Sequence, residues 1–199
     1  MIVVPALYDV ASTVAYVAHR VLGGMEPELS ELGIALAWQP VDLARILRLP
    51  RGAPIPEERR ANALRVAREL GVPVRAPAVW LDSRRAHAAL LVLQGDPRAA
   101  ALRERVFSAV FEEGRDPGAP GALEALAAEL GIALDPAALA RAVDELEVRT
   151  ALAEEDGVTG VPTLMLDGWP LGGIQTPETM RLLLARWVAR RRPPGAAAS

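Results

Sequence analysis

Gly157-Val158-Thr159-Gly160-Val161-Pro162-Thr163-Leu164-Met165-Leu166-Asp167-Gly168 decides how this chain is read. Pro162 to Leu166 is a short apolar run with proline at its head, where a missing N–H is tolerated, and it reads as a strand. Asp167-Gly168 is a two-residue hairpin turn, and Trp169 to Leu171 is the returning partner. Further on, Thr176-Pro177-Glu178 caps a last helix from about Pro177 to Arg192, with Met180, Leu183, Leu184 and Trp187 on one face. The chain therefore closes as β, β, α, ahead of a Pro/Gly/Ala tail at 193–199 expected to be disordered.

The opening of the chain has a different order. Ile2 to Tyr8 is apolar and partly β-branched, a buried strand in spite of Pro5. Thr13 to Leu22 repeats Val14, Val17, Ala18 and Val21 at helical spacing, with Ser12 near the N-cap and Gly23-Gly24 as the stop. Ile34 to Val41 is a second strand, so the start is β, α, β, a crossover that favours parallel pairing. Between these ends, Pro56 to Asp156 is rich in Ala, Leu, Arg and Glu and almost free of strand pattern. Breaks at Gly71-Val72-Pro73, Gly95-Asp96-Pro97, 114–121 and 131–135 divide it into about five helices. Asp96-Pro97 and Asp135-Pro136 each set a capping residue before a first-turn proline.

Composition removes whole classes of chemistry. The 199 residues include no Cys, which excludes disulfides, thiolate metal sites and a thiol nucleophile supplied by the chain. His19 and His87 are far apart in sequence, so no metal site is expected. All 22 basic residues are Arg, and the net charge of -3 gives no field to hold nucleic acid. Arg190, Arg191 and Arg192 read as the cationic end of the last helix. The start, Met1-Ile2-Val3-Val4-Pro5, has no basic, long apolar leader, so neither a signal peptide nor a membrane span is indicated and a cytoplasmic location is expected.

The order βαβ, helices, ββα, together with the Gly157 to Gly168 segment, resembles the DsbA-like group of the thioredoxin fold. The resemblance implies an α/β thioredoxin-like domain built discontinuously from 1–55 and 157–192, with an all-helical insertion at 56–156. It also implies that Val161-Pro162 is a cis peptide. Such a bond turns the preceding N–H and C=O outward, where an extended peptide can pair with them as an added strand.

Within that group, Asp9-Val10-Ala11-Ser12-Thr13-Val14-Ala15-Tyr16-Val17-Ala18 stands where the oxidoreductases carry Cys-x-x-Cys. It resembles the Asp-x-x-Ser-Pro-x-x-Tyr-x-x-Ala pattern of the 2-hydroxychromene-2-carboxylate isomerases and kappa-class glutathione transferases, with Thr13 in place of proline. Phe107 to Asp116 is similar to an insertion helix of those isomerases. The resemblance implies glutathione as cofactor, held by Val161, Pro162 and Gln175, with Ser12 as the catalytic residue. There the serine hydroxyl and the positive end of the first helix lower the thiol pKa. The thiolate adds to a conjugated carbonyl, allows rotation and leaves again. A small conjugated or aromatic electrophile is the implied substrate and a homodimer the implied assembly.

Other readings of the same residues stay open. Ser12 is equally an ordinary N-cap, worth about 1 kcal/mol. Gly173-Ile174-Gln175-Thr176-Pro177 departs from the acidic run that meets glutathione in the isomerases, and is closer to the thiol-oxidoreductase branch. No Asn-Gly-containing loop is recognisable in 45–56. A cysteine-free DsbA-like protein acting as a peptide-binding or structural module is therefore the alternative. His19, about 10 Å from Ser12 by helix geometry, is a packed or surface residue rather than a base. Trp38, Trp80 and Trp169 are candidates for the cleft between sheet and insertion, with core packing the commoner fate of such residues. Glu154-Glu155-Asp156 reads as a solvated helix end.

Overall fold

The computed structural model describes residues 1–191; the expected helix end at Arg192 and the tail at 193–199 lie outside the described residues. The central strand is β1 (Ile2–Tyr8), followed by α1 (Thr13–Gly24), α2 (Glu26–Glu31) and β2 (Ile34–Pro40). A helical run follows: α3 (Leu43–Ile46), α4 (Glu57–Glu69), α5 (Arg84–Val92), α6 (Arg98–Phe111), α7 (Ala122–Ala128) and α8 (Pro136–Glu155). The chain returns through β3 (Thr163–Leu166) and β4 (Trp169–Gly172) to α9 (Pro177–Arg191).

The sheet order is β2-β1-β3-β4. β2 lies parallel to β1, as a crossover through α1 requires, while β3 and β4 are antiparallel. This mixed sheet with its helical run is the DsbA-like thioredoxin arrangement. Pro5 is accommodated because the β1–β3 ladder covers only Ala6 and Leu7, leaving the proline just outside it. Asp167 and Gly168 both take positive φ, 54° and 84°, which turns the hairpin in two residues.

Alternation along β1 splits the core. Val4 and Ala6 face Val17, Ala18, Val21 and Leu22 of α1 and Met180, Leu184 and Val188 of α9. Leu7, on the other face, meets Val41, Ala153 and Val158. Tyr8, at the end of the strand, enters a second cluster with Phe107 and Phe111 of α6 and Leu90 and Leu91 of α5. α4 packs against α1, and its Ala67 joins the sheet-side core. No helix among the described residues is long and apolar enough to cross a membrane.

Several expectations are corrected. α2 and α3 were not anticipated. Gly23-Gly24 does stop α1, but Pro27 in the first turn starts a new helix at once, and Asp42 caps a single turn by accepting from the Arg45 N–H. On α9 the buried face is Met180, Leu184 and Val188, and Leu183 is exposed, because the i, i+4, i+8 row rather than the i+3 neighbour meets the sheet. Trp169 does not enter a cleft: it stands 78% exposed on edge strand β4. Asp135 caps α8 as expected, accepting from Ala137 and Ala138 N–H.

Phe107 is the hub of the aromatic cluster. Its ring lies 5.8 Å from that of Tyr8, 5.9 Å from Tyr16 and 5.0 Å from His19, against which it stacks. His19 is a packed residue, as expected, with its edge against Trp38 and Nε2 2.7 Å from Glu104. Phe107→Ala should lower the unfolding free energy by about 3–5 kcal/mol, read by urea denaturation, since the hole has rings on three sides and cannot collapse easily. A loss under about 1 kcal/mol would show that the cluster is not rigidly packed.

His87 is fully buried and His19 mostly so, and desolvation holds each imidazole below its ordinary value. The native state then binds fewer protons than the unfolded chain, whose histidines titrate near 6.5. Stability is fully present above that pH and is lost as pH falls through it. Unfolding free energy measured by urea denaturation should therefore decline as pH is lowered through about 6.5. A flat profile in urea denaturation would show that the imidazoles are not held neutral.

Candidate functional site

Ser12 is the N-cap of α1. Its Oγ accepts from the Ala15 N–H at 3.3 Å, its C=O accepts from Tyr16, and its own N–H donates to the Asp9 carbonyl. An oxygen that accepts in this way keeps its own proton to give, so the Ser12 hydroxyl is a donor at the positive end of a twelve-residue helix. The first turn of α1 holds no acidic side chain to cancel that field.

The loop that presents Ser12 is fixed from below. Asp9 is 2% exposed, and its carboxylate accepts from the Ala11 N–H at 2.8 Å, the Leu43 N–H at 2.9 Å and the Ser83 hydroxyl at 3.1 Å. The Val10 N–H donates to His87 Nε2 at 3.0 Å. Asp9, a member of the sequence pattern, thus serves the loop rather than the cavity wall.

Ser12 opens onto a cavity of about 210 Å³. Its walls come from five parts of the chain: Ala11 to Val14, Leu43 and Leu47, Ile55 with Arg59, Arg60, Asn62 and Ala63 of α4, the segment Ala76 to Trp80, and Thr159 to Val161. The structure therefore brings Ser12 and Val161 together. The Val161–Pro162 peptide is cis. The Pro162 carbonyl accepts from the Gly173 N–H at 2.8 Å, whereas the Val161 N–H and C=O have no backbone partner among the described residues. Gln175 is exposed and does not line the cavity, and Pro162 is buried behind Val161.

The cavity walls carry no carboxylate among the described residues, but two guanidinium groups. Arg59 lies over the Trp80 ring, 5.5 Å from its centroid, a cation–π contact that leaves its N–H fork open. Arg60 donates through Nε to the Ala76 carbonyl at 3.5 Å. Trp80 is held by a loop-to-loop pairing: its N–H donates to the Ala53 carbonyl, and its C=O accepts from Gly52. A helix N-terminus, two arginines and an aromatic face suit an anionic ligand carrying a flat or apolar part. The sequence named Trp80 for a cleft but missed Arg59 and Arg60, since Glu57-Glu58-Arg59-Arg60 reads as an ordinary solvated helix start.

A family model described as a DSBA-like thioredoxin domain matches residues 3–185. Among curated proteins no match is found. Solved structures agree on the fold. A 2-hydroxychromene-2-carboxylate isomerase superposes with a TM-score of 0.69 at 23% identity, covering 96% of this chain and 100% of that one. The cytosolic disulfide reductase DsbM from Pseudomonas aeruginosa, determined with GSH, gives 0.63 at 23% identity over 94% of this chain and 100% of that one. A probable DsbA oxidoreductase from Streptomyces coelicolor gives 0.75 at 19% identity, covering 99% and 94%. With the family match spanning both halves of the sheet and the helical run between them, the chain belongs to the DSBA-like thioredoxin domain family.

Proposed function

We propose that this protein is a glutathione-dependent isomerase or transferase acting on a small conjugated or aromatic electrophile. The observation that carries the reading is the single cavity that holds both the Ser12 hydroxyl at the α1 N-terminus and the open backbone groups of Val161. Similarity to an isomerase and to a reductase determined with GSH supports it. The chain has no cysteine, so a disulfide exchange of its own is excluded.

The residues present fit a thiol peptide. Val161 offers one N–H and one C=O to an extended backbone, the pairing of an added strand. Arg59 offers an open fork to a carboxylate. Ser12 would direct its hydroxyl proton at the sulfur, and the α1 field favours the anion there. Bound glutathione would supply the thiolate nucleophile that the chain lacks. Trp80, Ile55 and Leu47 give the cavity an apolar wall against which an apolar substrate would sit.

A second reading, a peptide-binding module, is favoured by the exposure of Gln175 outside the cavity. It predicts that Val161 matters and Ser12 does not. On the enzyme reading, Ser12→Ala should cut turnover of a conjugated electrophile with glutathione by about 10- to 1,000-fold while stability falls by only about 1 kcal/mol. Unchanged turnover would refute Ser12 as the thiol's donor. Arg59→Ala should weaken glutathione binding by roughly tenfold or more, measured by calorimetry, through loss of a charge-assisted hydrogen bond. Equal affinity would place the ligand's carboxylates elsewhere.

A further inference from the structure

We infer that His87 is a positioning residue for the site: from α5 it fixes the Val10 amide and with it the loop that aims the Ser12 hydroxyl. This rests on the function proposed above for Ser12, and it names a residue that contributes no atom to the cavity wall.

The geometry is specific. His87 is fully buried, and its Nε2 accepts from the Val10 N–H at 3.0 Å. A ring nitrogen that accepts carries no proton, so the imidazole is the neutral Nδ1–H form. Nδ1 itself finds no partner and Asp9 Oδ1 lies 3.5 Å from Nε2, so the Val10 contact is the ring's one hydrogen bond among the described residues. One turn earlier on the same strand-facing side, Ser83 accepts the His87 N–H through its carbonyl and gives its hydroxyl to Asp9. The start of α5 thus grips the loop twice, at Asp9 and at Val10. Asp9 in turn grips Ala11, and the Asp9 carbonyl takes the Ser12 N–H. Every backbone N–H from Val10 to Ser12 is thus bound.

Without an acceptor at position 87 the Val10 N–H is a buried orphan, and the cheapest relief is for the loop to shift until that amide finds another partner. Such a shift moves the N-cap two residues on. Leucine at this position keeps an apolar side chain of similar bulk and removes the acceptor. Glutamine restores an acceptor at about the reach of Nε2. Packing is disturbed by both changes, and only one of them loses the hydrogen bond.

The test compares wild type, His87→Leu and His87→Gln by amide hydrogen exchange and by ultraviolet titration of the glutathione thiolate on the protein. In His87→Leu, exchange at Val10 should quicken by about tenfold or more while amides in β2 keep wild-type protection. The apparent thiol pKa should rise by about half a unit or more, as the donor and the helix end lose their aim. His87→Gln should return both values most of the way. If His87→Leu does not fold, His87→Asn, polar but too short to reach, is read in its place. Unchanged exchange at Val10, or failure of His87→Gln to restore it, overturns the proposal. Should wild type not hold glutathione at all, the function proposed for the site fails, and the exchange comparison still decides whether His87 fixes the loop.

Discussion

A carboxylate shut away from water at the end of the central strand is the constraint on which the rest of this molecule depends. The Asp9 oxygens need donors there, and they draw them from three places: its own loop, the start of α3 and the Ser83 hydroxyl before α5. Those contacts bind the sheet to the helical run at the point where α1 begins. Removing any donor would leave a buried oxygen short of a partner, which ties the course of the loop and the aim of Ser12 to these contacts.

From that fixed point the two hydrophobic assemblies grow apart. One is the face of β1 and β3 against α1 and α9; the other is the aromatic cluster of Tyr8, Tyr16, Phe107 and Phe111, which joins α1 to α6. Tyr16 belongs to both the pattern that names the loop and this cluster, stacking on Phe111 at 4.9 Å and donating its hydroxyl to Glu112. The spacing of Ser12 and Tyr16 is therefore mechanical as well as chemical: four residues place the hydroxyl at the mouth of the cavity and the ring one turn deeper, in the seam.

Much of this was legible in the sequence because it is local. Asp167-Gly168 reports its turn, and Ser12 and Asp135 report their caps, each through chemistry within a few residues. What was not legible depends on distant partners. Arg59 looks like one more charge on a solvated helix until the pairing of 52–55 with 78–80 sets Trp80 beneath it. His87 looks like a core histidine until its partner, 77 positions away, proves to be the amide beside the site. Trp169 was a candidate for the cleft or the core on residue type alone, and edge-strand position overrules both. Gln175 follows the hairpin but turns outward to solvent, so its place in a family pattern did not carry it into the cavity.

The central claim is that the cavity beneath α1 takes a thiol peptide and favours its anion. Calorimetric titration with glutathione and with S-methylglutathione, each in two buffers of different ionisation enthalpy, addresses it without knowledge of the electrophile. The account predicts that glutathione binds more tightly than the methylated peptide, by about tenfold, and that it releases a proton at neutral pH while the methylated peptide releases none. Equal affinities with no proton release would mean that the Ser12 hydroxyl and the helix end do not act on the sulfur, and would leave the cavity as a peptide cleft.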